Sequence, residues 1–323
     1  MKTTLNAKNA LVCKGEFFNV RCYAHILNLI VQDGIKLIDA SIQKVLDSIK
    51  FVKSSQARKL KFQECCERLT LNTNRGLHGD VTTRWNSTFQ MLSDALYYWP
   101  AFDTLEFSEQ SYTLSPTEDD WEKIEKILKL LEPFYEVTKV LSSSKYPTSN
   151  LYFHTMVLIY LTLNDGSFLD EFMIDMIHAM RAKFNKYWEK YSLVLSVAVI
   201  LDPRYKLSVL RWAFNEIHHG KTNLMNEEID RVKSALERLY GEYKSMPKDQ
   251  GFSSTARVGD VSARYAQDYL SFCIQDNDVV TNGKSKLEQY LEEPPKTWVA
   301  EYNVLAYWKS NQSILEVKSE PIP

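Results

Sequence analysis

Apolar residues recur at steps of three and four along most of this chain, and no other feature narrows its fold as far. Ile38, Ile42, Val45, Ile49 and Val52 form one such run, and Trp121, Ile124, Leu128, Leu131 and Tyr135 form a second. Met173, Ile177, Met180, Phe184 and Tyr187 form a third, and Ile229, Val232, Leu236 and Leu239 a fourth. That period lines up one face of an α-helix, so each run predicts an amphipathic helix with its apolar stripe inward. Glycine and proline are scarce, at 10 each in 323 residues, which argues against a loop-rich all-β fold. The length suits one large or two modest domains with a real core. The expected class is mainly α.

Local signals refine this outline. "EFFNVRC" (16–22) is the best strand candidate, being short, aromatic and β-branched. Gly34 marks a break between two helices. Another helix is expected over 56–70, before the polar loop "NTNRGLHGD". Residues 82–100 read as a turn and then a helix that stops before Pro100. Ser115, Pro116 and Glu118 fit a capping box at the start of a long helix, which Pro133 should kink. "SLVLSVAVILDPRYK" (192–206) fits a buried strand or a buried helix by period alone, and its helical flanks favour helix. Asn226 is the expected cap of a helix over 226–243. From 244 to 284 the pattern dissolves into a linker with one short helix near 261–273. A last element covers 287–311, and no internal repeat is visible.

Composition excludes several functions. The net charge of −2 provides no global basic excess, so contact with nucleic acid has to come from a local patch. The five cysteines are Cys13, Cys22, Cys65, Cys66 and Cys273. An odd count with two adjacent members points to reduced intracellular thiols rather than a disulfide framework. No stretch reaches the roughly 20 apolar residues of a membrane span, and the first residues lack a leader's apolar core. No Gly-rich phosphate loop, GxSxG elbow or HExxH pair occurs.

Three constellations remain as candidates. Cys22 and His25 are residue types that bind zinc, but a structural zinc needs four ligands with a second close pair. Neither Cys65-Cys66 nor His218-His219 has that spacing, and the alternative is a packed corner. Arg84 and Trp85 can meet a phosphate and stack on a base. The alternative for Trp85 is an anchor in the core. In "LDPRYK" (201–206), Asp202 before Pro203 is a turn former that can pair with Arg204. A catalytic role for Asp202 needs a partner carboxylate that the sequence does not identify, so a structural turn is the stronger reading.

Four blocks in order resemble one family: "FFNVRCYAHILNLIVQDGIK", "DVTTRWNSTFQML", "KFNKYWEKYSLVLSVAVILDPRYKL" and "LEQYLEEPPKTWVAEYNVLAYWKSN". They are similar to hAT (hobo/Activator/Tam3) transposases, and in particular to domesticated plant members of the DAYSLEEPER and RICESLEEPER type, over residues 9 to 311. The resemblance implies a DNA-binding BED zinc finger upstream and an RNase H-like α/β core interrupted by an all-helical insertion. It also implies a C-terminal dimerisation region. On this reading residues 1–100 are a partial core with following helices, and 101–245 are the insertion. Residues 246–284 are the linker, and 285–323 begin the dimerisation region.

Family chemistry uses three acidic residues that hold divalent metal. The first belongs upstream of the "RCYAH" block and the last beyond "VLAYWKSN". The resemblance therefore implies no catalytic residue, no metal, no cofactor and no enzyme activity here. It makes Arg21, Arg84 and Trp85 the DNA-contact candidates, and Cys22 and His25 a packed strand-to-helix corner. Leu287, Tyr290, Leu291, Leu305 and Trp308 become the self-association candidates. The expected protein is nuclear, transposase-derived, DNA-associated and catalytically inactive, with no membrane or small-molecule partner. The alternative is an interaction module that does not touch DNA.

Overall fold

The computed structural model describes residues 2–7, 10–18, 20, 22–37, 39–79, 84–142, 148–168, 170–188, 193–245, 284–297 and 302–311. Every regular element among them is a helix. The α-helices are α1 (Lys2–Ala7), α2 (Tyr23–Ile35), α3 (Asp39–Lys53), α4 (Gln56–Arg68), α5 (Trp85–Tyr97), α6 (Trp99–Ser108) and α7 (Glu118–Leu141). They continue with α8 (Tyr152–Asn164), α9 (Glu171–Trp188), α10 (Leu193–Ile200), α11 (Lys206–Ile217), α12 (Thr222–Ser245), α13 (Lys286–Glu292) and α14 (Val304–Ser310). The mainly α class is as the apolar period requires. Residues 193–200 are helical, and the break after Gly34 separates α2 from α3.

The strand expected over 16–22 is absent from the described residues of that stretch. Cys13, Lys14 and Gly15 instead lie in the left-handed region, at φ of 47°, 51° and 72°, and turn the chain there. A strand needs a neighbour for its N–H and C=O groups, and no other described segment is extended beside it. Aromatic and β-branched composition therefore carried no strand here. Within the described residues the α/β core fragment is represented by helices alone.

Caps also moved. The N-cap of α7 is Thr117, not Ser115. Its Oγ1 accepts from the Asp120 N–H at 3.3 Å, and Asp120 Oδ2 accepts from the Thr117 N–H at 2.9 Å. Asp120 wins the N3 position because α3 completes its shell: Ser41 Oγ donates to it at 2.7 Å and Lys44 Nζ at 2.5 Å. Burial raises the Asp120 pKa, but these donors outweigh it and hold the carboxyl well below its usual range. Helix α12 starts at Thr222, four residues before Asn226. Helix α5 ends at Tyr97, before Pro100 as expected, and Pro100 then helps to open α6. Helix α7 runs unbroken across Pro133. Residue 100 lies in the first turn of α6, so the expected boundary at 100/101 falls within a helix. The linker expected over 246–284 lies outside the described residues except for Lys284.

One continuous core joins these helices. The most extensive pairing is α2 on α9, followed by α5 on α7, with α8, α10, α11 and α12 gathered at the other end. The first pairing depends on Gly34. A Cβ there would lie 2.6 Å from Met180 Cγ and 3.0 Å from Met176 Cγ, and both methionines are fully buried. Gly34→Ala gains up to about 1 kcal/mol of helix propensity but overpacks the contact by about 1–3 kcal/mol. We expect a net loss of about 1 kcal/mol in urea unfolding. A Met180→Ala background should abolish that loss, so a double-mutant cycle checks the cause.

Candidate functional site

The turn after α10 collects more long-range polar contacts than any other short stretch described. Helix α10 is almost wholly apolar, "LVLSVAVI", and Pro203 cannot continue it. Asp202 follows and is fully buried. A buried carboxylate requires partners. Asp202 Oδ1 accepts from Arg204 N and Arg204 Nε, each at 3.0 Å. Its Oδ2 accepts from Arg204 Nη2 and from Asn150 Nδ2, each at 2.7 Å. These bonds raise the Arg204 pKa above its ordinary value. The guanidinium also sits 4.9 Å from the Tyr205 ring centre and 5.0 Å from that of Tyr302.

Lys206 opens α11 with a left-handed φ of 49°, and its side chain is 2% exposed. Its Nζ donates to Tyr290 O at 2.6 Å and Glu293 O at 3.1 Å, and pairs with Glu293 Oε2 at 3.3 Å. An amine in that place satisfies carbonyls at the end of α13 and complements its dipole. Burial lowers the Lys206 pKa, and Glu293 acts in the opposite direction.

Three further bonds tie residues 284–297 and 302–311 to the same turn through its main-chain carbonyls. Tyr290 Oη donates to Ile200 O at 2.9 Å, Trp308 Nε1 to Leu201 O at 2.7 Å, and the Lys296 N–H to Pro203 O at 2.8 Å. Each such bond is worth about 1 kcal/mol net. The burial of Leu287 and Tyr290 adds about 2 kcal/mol each.

This geometry places most of the self-association candidates. Leu287 and Tyr290 are buried against the chain's own body, Leu291 packs on the core, and Trp308 is half-buried with its ring centre 5.1 Å from that of Tyr290. Leu305 alone among the five is strongly exposed, at 57%. Sequence reasoning missed Lys206, Asn150 and Tyr302. The "LDPRYK" motif flagged the turn, but nothing in the sequence pairs it with residues 50 to 100 positions away.

The other candidates divide. Cys22 and His25 are both exposed at the start of α2, and Cys22 makes no side-chain cap. They do not pack the corner. The buried stripe is Tyr23, Ile26, Leu27, Ile30, Val31 and Gly34, and positions 22 and 25 fall off it. No three His, Cys, Asp or Glu side chains gather as metal ligands among the described residues. Trp85 is 3% exposed, edge-on to Phe89 and Tyr135 at 6.2 and 6.3 Å, and those two rings stack at 4.4 Å. A ring so enclosed offers no face to a base, so the core-anchor alternative describes it. Arg84 is the exposed N-cap residue beside it. The Ser87 hydroxyl donates to Arg84 O at 2.6 Å. The Trp85 N–H meets Asn28 Oδ1 at 3.4 Å, which sets the start of α5 against α2, one turn beyond His25. Arg21 lies outside the described residues.

Asp202→Ala leaves the Arg204 side chain, 6% exposed, without its counter-ion. We expect a loss of about 3–5 kcal/mol in chemical denaturation, and a smaller loss for the paired Asp202→Leu, Arg204→Met variant. His154 adds a pH dependence. Its ring centre lies 4.1 Å from that of Tyr205, and burial lowers its pKa, with Asp202 opposing and Arg204 reinforcing the shift. The unfolded chain therefore takes up the proton first. Stability is complete above the ordinary histidine pKa of about 6.5 and declines as pH falls below it. Between pH 7.5 and 5.5 the urea midpoint should fall further for the native chain than for His154→Phe.

The family comparisons follow this architecture. The family description "ZBED1 RNase-like helical domain" matches residues 20–130, and "hAT-like transposase, RNase-H fold" matches residues 150–243. The chain is 33% identical over 326 residues to zinc finger BED domain-containing protein RICESLEEPER 2 of Oryza sativa subsp. japonica, covering 96% of this chain and 45% of that protein. It is 29% identical over 256 residues to zinc finger BED domain-containing protein DAYSLEEPER of Arabidopsis thaliana, covering 78% of this chain and 35% of that protein. The chain thus spans less than half the length of these relatives. No described helix is long and apolar enough to cross a membrane. With both descriptions matched in order along the helical body, this chain carries a ZBED1 RNase-like helical domain followed by a hAT-like transposase RNase-H-fold domain.

Proposed function

We propose that this transposase-derived chain is a DNA-associated nuclear protein without strand-transfer activity of its own, and that it meets the phosphate backbone through the start of α5. The observation that carries the reading is the juxtaposition of two helix N-termini. Neither Arg84 nor Cys22, the N-cap residues of α5 and α2, supplies a side-chain cap, and both ends carry an exposed basic or titratable side chain, Arg84 and His25. The positive end of a helix with an exposed arginine beside it suits a phosphate. Trp85 serves this surface from beneath, by locking the first turn of α5 into the core. Contacts of this kind bring affinity and register, not sequence choice. A chain of net charge −2 binds in this way only through such a patch.

Labelled duplex DNA titrated at two salt concentrations tests the proposal. We expect a salt-dependent affinity, and Arg84→Ala should weaken it equally on unrelated sequences while lowering the salt slope by about 1. Absence of binding by the native chain at low salt would refute DNA contact and leave the interaction module. Metal-dependent cleavage abolished by replacing one carboxylate would refute the non-catalytic assignment.

A further inference from the structure

We infer that residues 284–297 and 302–311 form a strap that opens from the helical body as a unit of its own, with Lys206 as the latch. The inference is independent of DNA contact. Four features support it. The described contacts of the strap converge on one short stretch: Ile200 O, Leu201 O, Pro203 O and the Lys206 amine. Each bond has a main-chain carbonyl on one side: the turn offers its carbonyls to Tyr290 Oη, Trp308 Nε1 and the Lys296 N–H, and the Lys206 amine meets carbonyls at the end of α13. The latch is stressed, since Lys206 is a non-glycine residue in left-handed backbone and its amine is buried. Finally, strap and body meet through few buried groups, chiefly Leu287 and Tyr290, whereas α2 and α9 share a long apolar seam. Elements joined by so little open locally before the body unfolds.

Opening has a defined consequence. It exposes Leu287, Tyr290 and Trp308 together, and it leaves the carbonyls of residues 200, 201 and 203 without these partners. The latch therefore governs whether this apolar surface is presented. Lys206 is a positioning residue in this scheme: it acts by holding the α13 end, through Tyr290 O and Glu293 O.

Hydrogen exchange on the full chain, read by mass spectrometry, tests the latch. Lys206→Met should accelerate exchange across 287–296 at least tenfold and leave the amides of α2 and α9 unchanged. Tyr290→Phe, which removes only the hydroxyl donor to Ile200 O, should give the same selective pattern at smaller amplitude, and it decides the matter alone if Lys206→Met does not fold. Equal acceleration in α2, α9 and the strap would overturn the inference, because strap and body would then be one cooperative unit. Unchanged exchange in the strap would overturn it too.

Discussion

The buried pairing of Asp202 with Arg204 is the interaction on which this end of the molecule depends. A helix as apolar as α10 has no polar end of its own, and Pro203 forces it to stop inside the protein. The carboxylate that follows must be satisfied in place, and no water-facing route is open to it. Arg204 supplies a bidentate partner from the same turn, and Asn150 supplies a third donor from just before α8. One buried charge thus fixes where α8, α10 and α11 meet. It also sets the backbone from which Lys206 reaches the end of α13.

Elsewhere the body is held largely by shape, with buried Asp120 joining α3 to α7 through Ser41 and Lys44. Gly34 lets α2 approach the methionines of α9, and the Trp85, Phe89 and Tyr135 rings join α5 to α7. Aromatic residues that suggest ligand contact are consumed by this packing. What stays exposed lies outside the stripes, as Arg84 and His25 do at two helix starts. The same economy applies at the C-terminal end, where side chains suited to a partner are already covered by the chain itself.

Much of the helical body was legible from residues. The runs at Trp121 to Tyr135 and Met173 to Tyr187 are inward stripes because a helix with one apolar face has only one way to bury it. Where the reading failed, a local signal lacked its partner. Phe17, Phe18 and Val20 have strand-like composition, but a strand is a property of two segments, and the left-handed turn at Cys13 to Gly15 takes the chain elsewhere. Ser115 has a capping residue's chemistry, yet Asp120 belongs to Thr117 because Ser41 and Lys44 approach from α3. Trp85 beside Arg84 fits base stacking or core anchoring equally by sequence. Burial decided it.

By itself, the sequence determined the mainly α class, the main helices, their inward faces and the turn at Asp202. These follow from a period and from side-chain chemistry that act within a few residues. Only the tertiary structure decided which faces are already covered. An apolar stripe such as Leu287, Tyr290 and Leu291 has the same sequence whether it meets another chain or folds back on its own. The choice rests on donors and acceptors, Lys206 and the carbonyls of 200, 201 and 203, brought together from distant positions.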